Sequence, residues 1–168
     1  MNLLKDKVAI ITGSSRGIGR SIALKYSENG AKIILNHTKK GRDIDETVSA
    51  LEAKNADFLI YKGSICDKAF IQAMIKDIIQ QYGHIDILVN NAGVGITGPI
   101  EETPELEIKK AFDINLYGPI NVIKLVLPQM RKQKSGLIIN ITSIAGYMGL
   151  PYRGIYSATK VSDSVSKY

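Results

Sequence analysis

Tyr156 and Lys160 stand four residues apart near the end of the chain, in the stretch GIYSATKVSDSVSKY. Val161 and Val165 follow at helical spacing, so the stretch predicts a helix that begins near Ile155. Residues i and i+4 of a helix share a face, so the phenol and the ammonium group point the same way. A phenol alone is a poor base at neutral pH, but a neighbouring cation stabilises the phenolate. The two residues therefore indicate a proton donor or acceptor for a substrate oxygen.

Three glycines, Gly13, Gly17 and Gly19, stand in the stretch ITGSSRGIGR, between an apolar run and a helix-length segment. Glycines at such a junction allow a tight turn and a close approach of the backbone to a pyrophosphate. The following helix N-terminus supplies N–H donors and a favourable dipole. The stretch therefore predicts a nucleotide-binding turn.

The same stretch also matches G-x-S-x-G, the nucleophile elbow of hydrolases, with Ser15 at its centre. That chemistry requires a histidine downstream of both the nucleophile and an acid. The only histidines are His37 and His84, and His84 precedes the apolar run Ile87–Val89, at the wrong end of a parallel strand. This disfavours a hydrolase, and two histidines with the single cysteine, Cys66, predict no metal site.

Short apolar runs alternate with longer amphipathic segments along the chain. The runs are mostly unbroken, as in strands buried on both faces. The alternation predicts an α/β fold with a parallel sheet and helices on both faces. The predicted strands are Val8–Ile11, Ile33–Leu35, Phe58–Tyr61, Ile87–Val89 and Leu137–Ile141. The predicted helices are Gly17–Asn29, Asp43–Lys54, Asp67–Tyr82 and Thr103–Gln133, followed by the helix that carries Tyr156.

Capping residues and one proline refine the helices. Asp67 is expected to cap the third helix, and Thr103 the fourth, with Pro104 at its first helical position. Pro119 has no N–H and cannot donate to the carbonyl of Asn115, four residues earlier. We therefore expect a kink between these two residues and an Asn115 carbonyl without an i+4 partner.

The composition excludes several classes of function. The net charge is +6, but the 22 Lys and Arg are spread along the chain, without the basic, aromatic-interleaved stripe of a nucleic-acid binder. The opening apolar run is far too short for a membrane span. The single cysteine excludes an internal disulfide. We therefore expect a cytoplasmic protein that binds neither nucleic acid nor membrane.

Five motifs together resemble the short-chain dehydrogenase/reductases. They are TGSSRGIG, NNAG at Asn90–Gly93, FDINLYG with Asn115, INITSIAG with Ser143, and Tyr156-x-x-x-Lys160. They occur in the family's order and spacing, from residue 6 to the end, and look most like bacterial 3-oxoacyl-carrier-protein reductases and small-molecule ketone reductases. The resemblance implies a Rossmann-type doubly wound sheet in strand order 3-2-1-4-5. It also implies hydride transfer between NAD(P) and an alcohol or carbonyl substrate.

The resemblance also implies roles for individual residues. The implied catalytic residues are Asn115, Ser143, Tyr156 and Lys160: the Asn115 backbone holds a relay water, Ser143 holds the substrate oxygen, and Lys160 also bonds the nicotinamide ribose. Ser64 departs from the Asp or Asn usual after the third strand. The implied cofactor-binding residues are Thr12, Gly13, Ser15, Arg16, Gly17, Ile18, Gly19, Asn36, His37, Thr38, Ser64, Ile65, Asn91, Ala92, Gly93, Tyr156 and Lys160.

The end of the second predicted strand favours NADP over NAD. An NAD site usually carries an acid there, which bonds the adenine ribose, whereas Asn36–Thr38 contains none. Lys39 and Lys40 follow directly, and Arg16 lies in the glycine turn. We therefore expect NADP(H) to bind more tightly than NAD(H), and Asn36→Asp to move the preference toward NAD.

Members of the resembled family continue for many tens of residues past the Tyr–Lys helix, with two more strands and a substrate lid. We therefore expect residues 1–168 to form one dinucleotide-binding domain, incomplete at its C-terminal end, that binds nucleotide with little turnover. A catalytically weak or inactive nucleotide-binding relative is the alternative to an active oxidoreductase. Leu137–Ile141 would then be an uncovered edge strand, and such edges favour a homo-oligomer, a dimer or tetramer.

Overall fold

The computed structural model describes residues 2–38 and 41–165, with side chains up to Val161. Its sheet has five parallel strands in the order β3-β2-β1-β4-β5, which confirms the predicted order and the Rossmann-type fold. The strands are β1 (Val8–Thr12), β2 (Lys32–His37), β3 (Phe58–Lys62), β4 (Ile87–Asn90) and β5 (Leu137–Asn140). The α-helices are α1 (Gly17–Ser27), α2 (Arg42–Glu52), α3 (Lys68–Tyr82), α4 (Glu105–Phe112), α5 (Gly118–Gln133) and α6 (Gly154–Val165).

The central strands are buried on both faces, which explains their unbroken apolar runs. Every residue of β1 and β4 is buried. Successive side chains of β1 alternate between two clusters: Ile10 packs with residues of α3 and α5, and Ile11 with residues of α1 and α2. Burial of one such side chain stabilises the fold by about 1.5–3 kcal/mol. The two helical layers therefore hold the sheet from opposite sides, and the carboxyl ends of β1, β2 and β4 meet at one edge.

The helix ends confirm one predicted cap and correct another. The Asp67 carboxylate accepts a hydrogen bond from the Phe70 N–H at 3.1 Å, as an N-cap does. Thr103 is not the N-cap of α4, because its hydroxyl donates instead to the Pro99 carbonyl at 2.8 Å, and Pro104 occupies the cap position. The helix predicted over Thr103–Gln133 is also interrupted. No helix of the described ranges is long and apolar enough to cross a membrane.

A π-helical segment, Asp113–Tyr117, separates α4 from α5. The Gly118 N–H donates to the Asp113 carbonyl, five residues earlier, and Pro119 has no N–H to offer Asn115. The helix is thus interrupted near the position where Pro119 predicted a kink. The interruption takes the form of a change from an i+4 to an i+5 hydrogen bond. Single-turn π segments of this kind occur frequently at functional sites.

The outer strands of the described sheet are β3 and β5. Leu137 of β5 is half exposed, and Leu137–Asn140 contains no charged residue. The expected apolar edge is therefore present in the described part of the chain.

We predict that Gly118→Ala destabilises the protein by about 1–3 kcal/mol, the usual cost of overpacking. An added Cβ would lie 2.5 Å from Cδ1 of the buried Ile65. This outweighs the gain of about 0.5–1 kcal/mol that alanine brings over glycine in a helix. Urea unfolding measures the difference. Gly149→Ala is the control, since nothing lies within 4 Å of its added Cβ. A more stable Gly118→Ala variant would contradict the packing argument.

Candidate functional site

The glycine turn between β1 and α1 has the backbone that only glycine adopts without strain. Gly13 and Gly17 have φ angles of +63° and +56°. A Cβ at Gly13 would lie 2.7 Å from the Ala92 Cα, and one at Gly19 would lie 2.5 Å from the Gly13 carbonyl oxygen. The turn therefore packs against its surroundings through bare backbone, and the N-terminus of α1 faces the same space.

Thr12 and Asn91 hold this turn against the end of β4. The Asn91 amide nitrogen donates to the carbonyls of Thr12 at 2.9 Å and Gly13 at 3.0 Å. The Thr12 hydroxyl oxygen accepts from the N–H groups of Asn91 and Ala92, both at 3.0 Å. The hydrogen bonds of these two residues therefore hold the glycine turn in position.

A cleft of about 650 Å³ opens beside the glycine turn. It brings together thirteen of the residues predicted to bind a cofactor, and the other four, Thr12, Gly19, Tyr156 and Lys160, are not among its lining residues. The predicted residues in the lining are Gly13, Ser15, Arg16, Gly17, Ile18, Asn36, His37, Thr38, Ser64, Ile65, Asn91, Ala92 and Gly93. Lining residues that the sequence did not single out are Gly41, Arg42, Asp43, Val94 and Ile114.

Asn36, which lines the cleft, also bonds the end of β3 through its side chain. Its side chain is buried, and its amide nitrogen donates to the carbonyls of Tyr61 at 3.3 Å and Gly63 at 3.1 Å. A carboxylate at this position would face two carbonyl oxygens, so Asn36→Asp is the wrong substitution to test the choice of nucleotide. His37, the next residue, also lines the cleft. Lys39 and Lys40, on which the NADP prediction partly relied, lie outside the described residues.

Arg16, directly before α1, and Arg42, at the start of α2, line the cleft. Nη1 of Arg16 lies 3.7 Å from the Asp43 carboxylate, and both side chains are exposed. Arg20 is more deeply placed, and donates to the carbonyls of Ser15 at 3.0 Å and Asp43 at 2.6 Å and to the Thr47 hydroxyl at 2.7 Å. Arg20 therefore ties the glycine turn to the first turn of α2.

Glu46 of α2 pairs with two arginines near the cleft. Its carboxylate accepts hydrogen bonds from Arg20 at 3.0 Å and Arg42 at 2.7 Å. These hydrogen bonds, that from Arg20 first, hold the pKa of Glu46 below its ordinary value. Glu46 therefore neutralises part of the arginine charge on the side of α2.

Tyr156 and Lys160 lie on α6, one turn apart, as predicted. Lys160 is 5% exposed, and its Nζ donates to the Ile141 carbonyl at 3.1 Å. The same Nζ lies 3.8 Å from the position of a Cβ at Gly93, which lines the cleft. The lysine therefore stands where α6 meets the cleft.

Ser143 lies at the start of a 3-10 turn, Ile144–Gly146, that follows β5. Its Oγ accepts from the Ala145 N–H at 3.2 Å. The turn packs on α6, since a Cβ at Gly146 would lie 3.0 Å from the Lys160 carbonyl oxygen. Ser143 and the Tyr–Lys helix are thus on adjoining elements.

The side chain of Asn115 joins the cleft to α6. Asn115 is fully buried in the π segment. Its Oδ1 accepts from the Val94 N–H at 2.8 Å, and its Nδ2 donates to the Val94 carbonyl at 2.8 Å and the Thr159 hydroxyl at 3.0 Å. Thr159 in turn donates to the Tyr156 carbonyl at 2.7 Å. The sequence pointed to the Asn115 backbone and missed this side-chain role.

The hydrolase alternative gains no support from the geometry. His84 precedes β4, and β4 runs parallel to β1, so His84 lies at the opposite end of the sheet from Ser15. Its Nε2 lies 3.2 Å from the Asp86 carboxylate there. Within residues 2–38 and 41–165, no group of three or more His, Cys, Asp or Glu could hold a metal ion.

We predict that Asn115→Ala destabilises the protein by about 3 kcal/mol, because it leaves buried polar groups of Val94 and Thr159 without partners. Urea unfolding measures the loss. The control is Asn29→Ala, which removes one exposed hydrogen bond to the Lys25 carbonyl and should change stability by less than about 0.5 kcal/mol. Equal losses in the two variants would contradict this role of Asn115.

Comparisons with known proteins agree with this geometry. Residues 7–163 match the short chain dehydrogenase family. The 3-oxoacyl-[acyl-carrier-protein] reductase FabG of Staphylococcus aureus is 39% identical over 154 residues, covering 92% of this chain and 63% of the relative. An uncharacterized oxidoreductase of Thermotoga maritima is 37% identical over 160 residues, covering 94% and 62%. The chain thus spans less than two thirds of the length of these relatives.

Solved structures show the same fold. An NAD+-bound xylitol dehydrogenase superposes with a TM-score of 0.90 at 27% identity, covering 95% of this chain and 62% of the other. A metagenomic short-chain oxidoreductase in complex with NADP superposes with a TM-score of 0.89 at 30% identity, covering 96% and 73%. With the family match over most of its residues, the chain belongs to the short-chain dehydrogenase family.

Proposed function

We propose that the chain carries the nucleotide-binding cleft and the catalytic residues of an NADP(H)-linked oxidoreductase that acts on an alcohol or carbonyl substrate. The observation that carries this proposal is the meeting of the two sites at Gly93. This residue lines the cleft, and the Nζ of Lys160 lies 3.8 Å from the position that a Cβ added at Gly93 would take. The bare backbone at Gly13 and Gly17 fits the close approach of a pyrophosphate.

In this proposal the residues of the site have distinct roles in the reaction. The nicotinamide cofactor would supply the hydride chemistry. Tyr156 exchanges a proton with the substrate oxygen, and the Ser143 hydroxyl holds that oxygen. Lys160, fixed against the Ile141 carbonyl, supports the charge that develops on the phenol. Asn115 keeps α6 against the loop after β4, so that these groups stay in register with the cleft.

Preference for NADP over NAD is the finer part of the proposal. The end of β2 carries no acid, and Arg16 and Arg42 lie in the cleft lining. Asp43 is 3.7 Å from Arg16, and a ribose 2′-phosphate would take its place as the partner of that arginine. One structural relative is described with NADP and another with NAD+, so likeness alone does not choose between them.

We predict that NADP binds more tightly than NAD and that His37→Asp lowers this preference by at least about 10-fold, or about 1.4 kcal/mol. The new carboxylate would line the cleft at the end of β2, repel a 2′-phosphate and accept from a ribose hydroxyl. Calorimetric titration with both nucleotides measures the ratio. Asn29→Asp is the matched control, because it adds the same charge just beyond the end of α1, away from the cleft, and should leave the ratio unchanged. Equal affinities of the unaltered chain for both nucleotides would refute the preference.

The second candidate is a nucleotide-binding relative with little turnover. It is favoured by the extent of the cleft, whose described lining runs from Gly13 to Ile114 and includes none of Ser143, Tyr156 and Lys160. Hydride transfer requires the reacting atoms in a near-attack geometry, and a displacement of about 1 Å costs about 100-fold in rate. Turnover therefore depends on groups that would enclose the substrate and the nicotinamide beside Tyr156.

We predict that Tyr156→Phe lowers ketone-dependent NADPH oxidation at least 100-fold, within the range of about 10²–10⁴ that a positioned proton donor contributes. A form that extends to the length of the family relatives is the one to assay, with the 168-residue chain beside it for nucleotide binding. Tyr152→Phe is the control, since Tyr152 is an exposed tyrosine four residues earlier. Similar losses in both variants would count against Tyr156 as the proton donor, and NADPH bound without any turnover would favour the second candidate.

The proposal also includes a homo-oligomeric state and a cytoplasmic location. Within the described residues β5 is an outer strand with apolar side chains, which supports the proposal of a homo-oligomer, a dimer or tetramer. The exposed side chains of Ile144, Tyr147 and Met148 add apolar surface beside α6. The single cysteine, Cys66, fits the reducing cytoplasm.

A further inference from the structure

Arg153 is a cation beside the ring of Tyr156 that the reaction described so far does not use. It stands directly before α6, three residues ahead of Tyr156, and its side chain is half-buried. Its guanidinium carbon lies 5.9 Å from the centre of the Tyr156 ring. A cation at this distance interacts with the face of the ring, and it lies close to the substrate that would bind at the Tyr156 hydroxyl.

The loop after β4 lies on the other side of this guanidinium. Nη1 of Arg153 lies 3.4 Å from the position of a Cβ at Gly95. Gly93, in the same loop, lines the cleft, and the Gly98 N–H donates to the Tyr152 carbonyl at 3.0 Å. The charge of Arg153 is therefore held between the Tyr156 ring and the loop that leads from the cleft.

No ion pair within the described residues involves Arg153. The arginines on the nucleotide side differ, because Arg16 pairs with Asp43, and Arg20 and Arg42 pair with Glu46. Partial burial of a guanidinium is unfavourable without an anion, and one ring face offsets only part of the lost hydration. The position of Arg153 is thus suited to an anion that arrives with a ligand.

We propose that Arg153 binds a carboxylate of the substrate, and that the substrate is a short oxo acid or the corresponding hydroxy acid. The guanidinium offers two parallel N–H donors that match a carboxylate. Since the guanidinium carbon lies 5.9 Å from the centre of the Tyr156 ring, a small molecule whose carboxylate is a few bonds from the reacting oxygen would be able to contact both groups. The inference rests on the proposed function, since it names the substrate class of the same site.

The reaction balances without a further reactant. The carbonyl carbon of the oxo acid accepts the hydride, and the carbonyl oxygen accepts a proton from the Tyr156 hydroxyl. Solvent then returns a proton to Tyr156. The C=O π bond breaks, one C–H and one O–H bond form, and the reduced nucleotide is oxidised. The carboxylate on Arg153 is unchanged and serves only to orient the molecule.

The test compares 3-oxobutanoate with its neutral isostere, 3-oxobutanamide. Binding of each to the NADP-loaded chain is measured by calorimetry, where the oxidised nucleotide prevents turnover. Arg153→Gln removes the charge, and Arg153→Lys keeps the charge but not the planar fork. Arg131→Gln is the control for loss of one charge, because Arg131 is exposed in the last turn of α5, at the opposite end of the sheet.

We expect the acid to bind about 10- to 100-fold more tightly than the amide, as for a hydrogen bond to a charged group. Arg153→Gln should remove that difference, Arg153→Lys should retain part of it, and Arg131→Gln should leave it intact. Equal binding of acid and amide to the unaltered chain, no measurable binding of the acid, or a preference that survives Arg153→Gln would overturn the inference. NADP binding without the acid preference would overturn this inference alone, whereas absence of NADP binding would overturn the proposed function as well.

Discussion

The hydrogen bonds of the Asn115 side chain are the interaction on which the arrangement of the site depends. Asn115 is 0% exposed, and its amide pairs with both backbone polar groups of Val94 and with the hydroxyl of Thr159. In an interior without water, each of these groups is costly to leave unpaired. Since the partners belong to the loop after β4 and to α6, this amide helps to fix how the helix of Tyr156 lies against the carboxyl end of the sheet, together with the hydrogen bond from Lys160 to the Ile141 carbonyl.

The π segment lets Asn115 serve this purpose within a long helical region. Pro119 removes one i+4 donor, and the Gly118 N–H bonds to the Asp113 carbonyl five residues back, so the chain gains a residue in that turn. Gly118 also lies against Ile65, which lines the cleft. The same short segment therefore contacts the wall of the nucleotide cleft on one side and holds α6 on the other.

Local physics accounts for what the sequence predicted well. Unbroken apolar runs identify β1 and β4 because both faces of each are buried, and Asp67 was recognised because an N-cap requires only neighbouring residues. Other features depended on information that the sequence does not show locally. Asn36 and His37 are adjacent in the sequence, and which of the two side chains turns to the end of β3 depends on the pleat of β2. In the structure it is the Asn36 amide. The partners of the Asn115 side chain lie 21 and 44 residues away, so no local pattern indicated them.

The degree to which each arginine is already engaged decides which of them can serve a ligand. Arg20 is 24% exposed on its side chain, and it bonds the glycine turn and α2 at once, so releasing it would loosen the turn itself. Arg16 is 76% exposed and meets Asp43 only at 3.7 Å, an exposed pair worth about 0–1 kcal/mol. A phosphate can therefore replace Asp43 at little expense in folding stability. Arg153 has no acidic partner among the described residues, so protein anions do little to offset its charge. The arginines around the site therefore differ in how far protein carboxylates already offset their charge: Arg20 and Arg42 pair with Glu46, Arg16 meets Asp43 only loosely, and Arg153 has no acidic partner among the described residues.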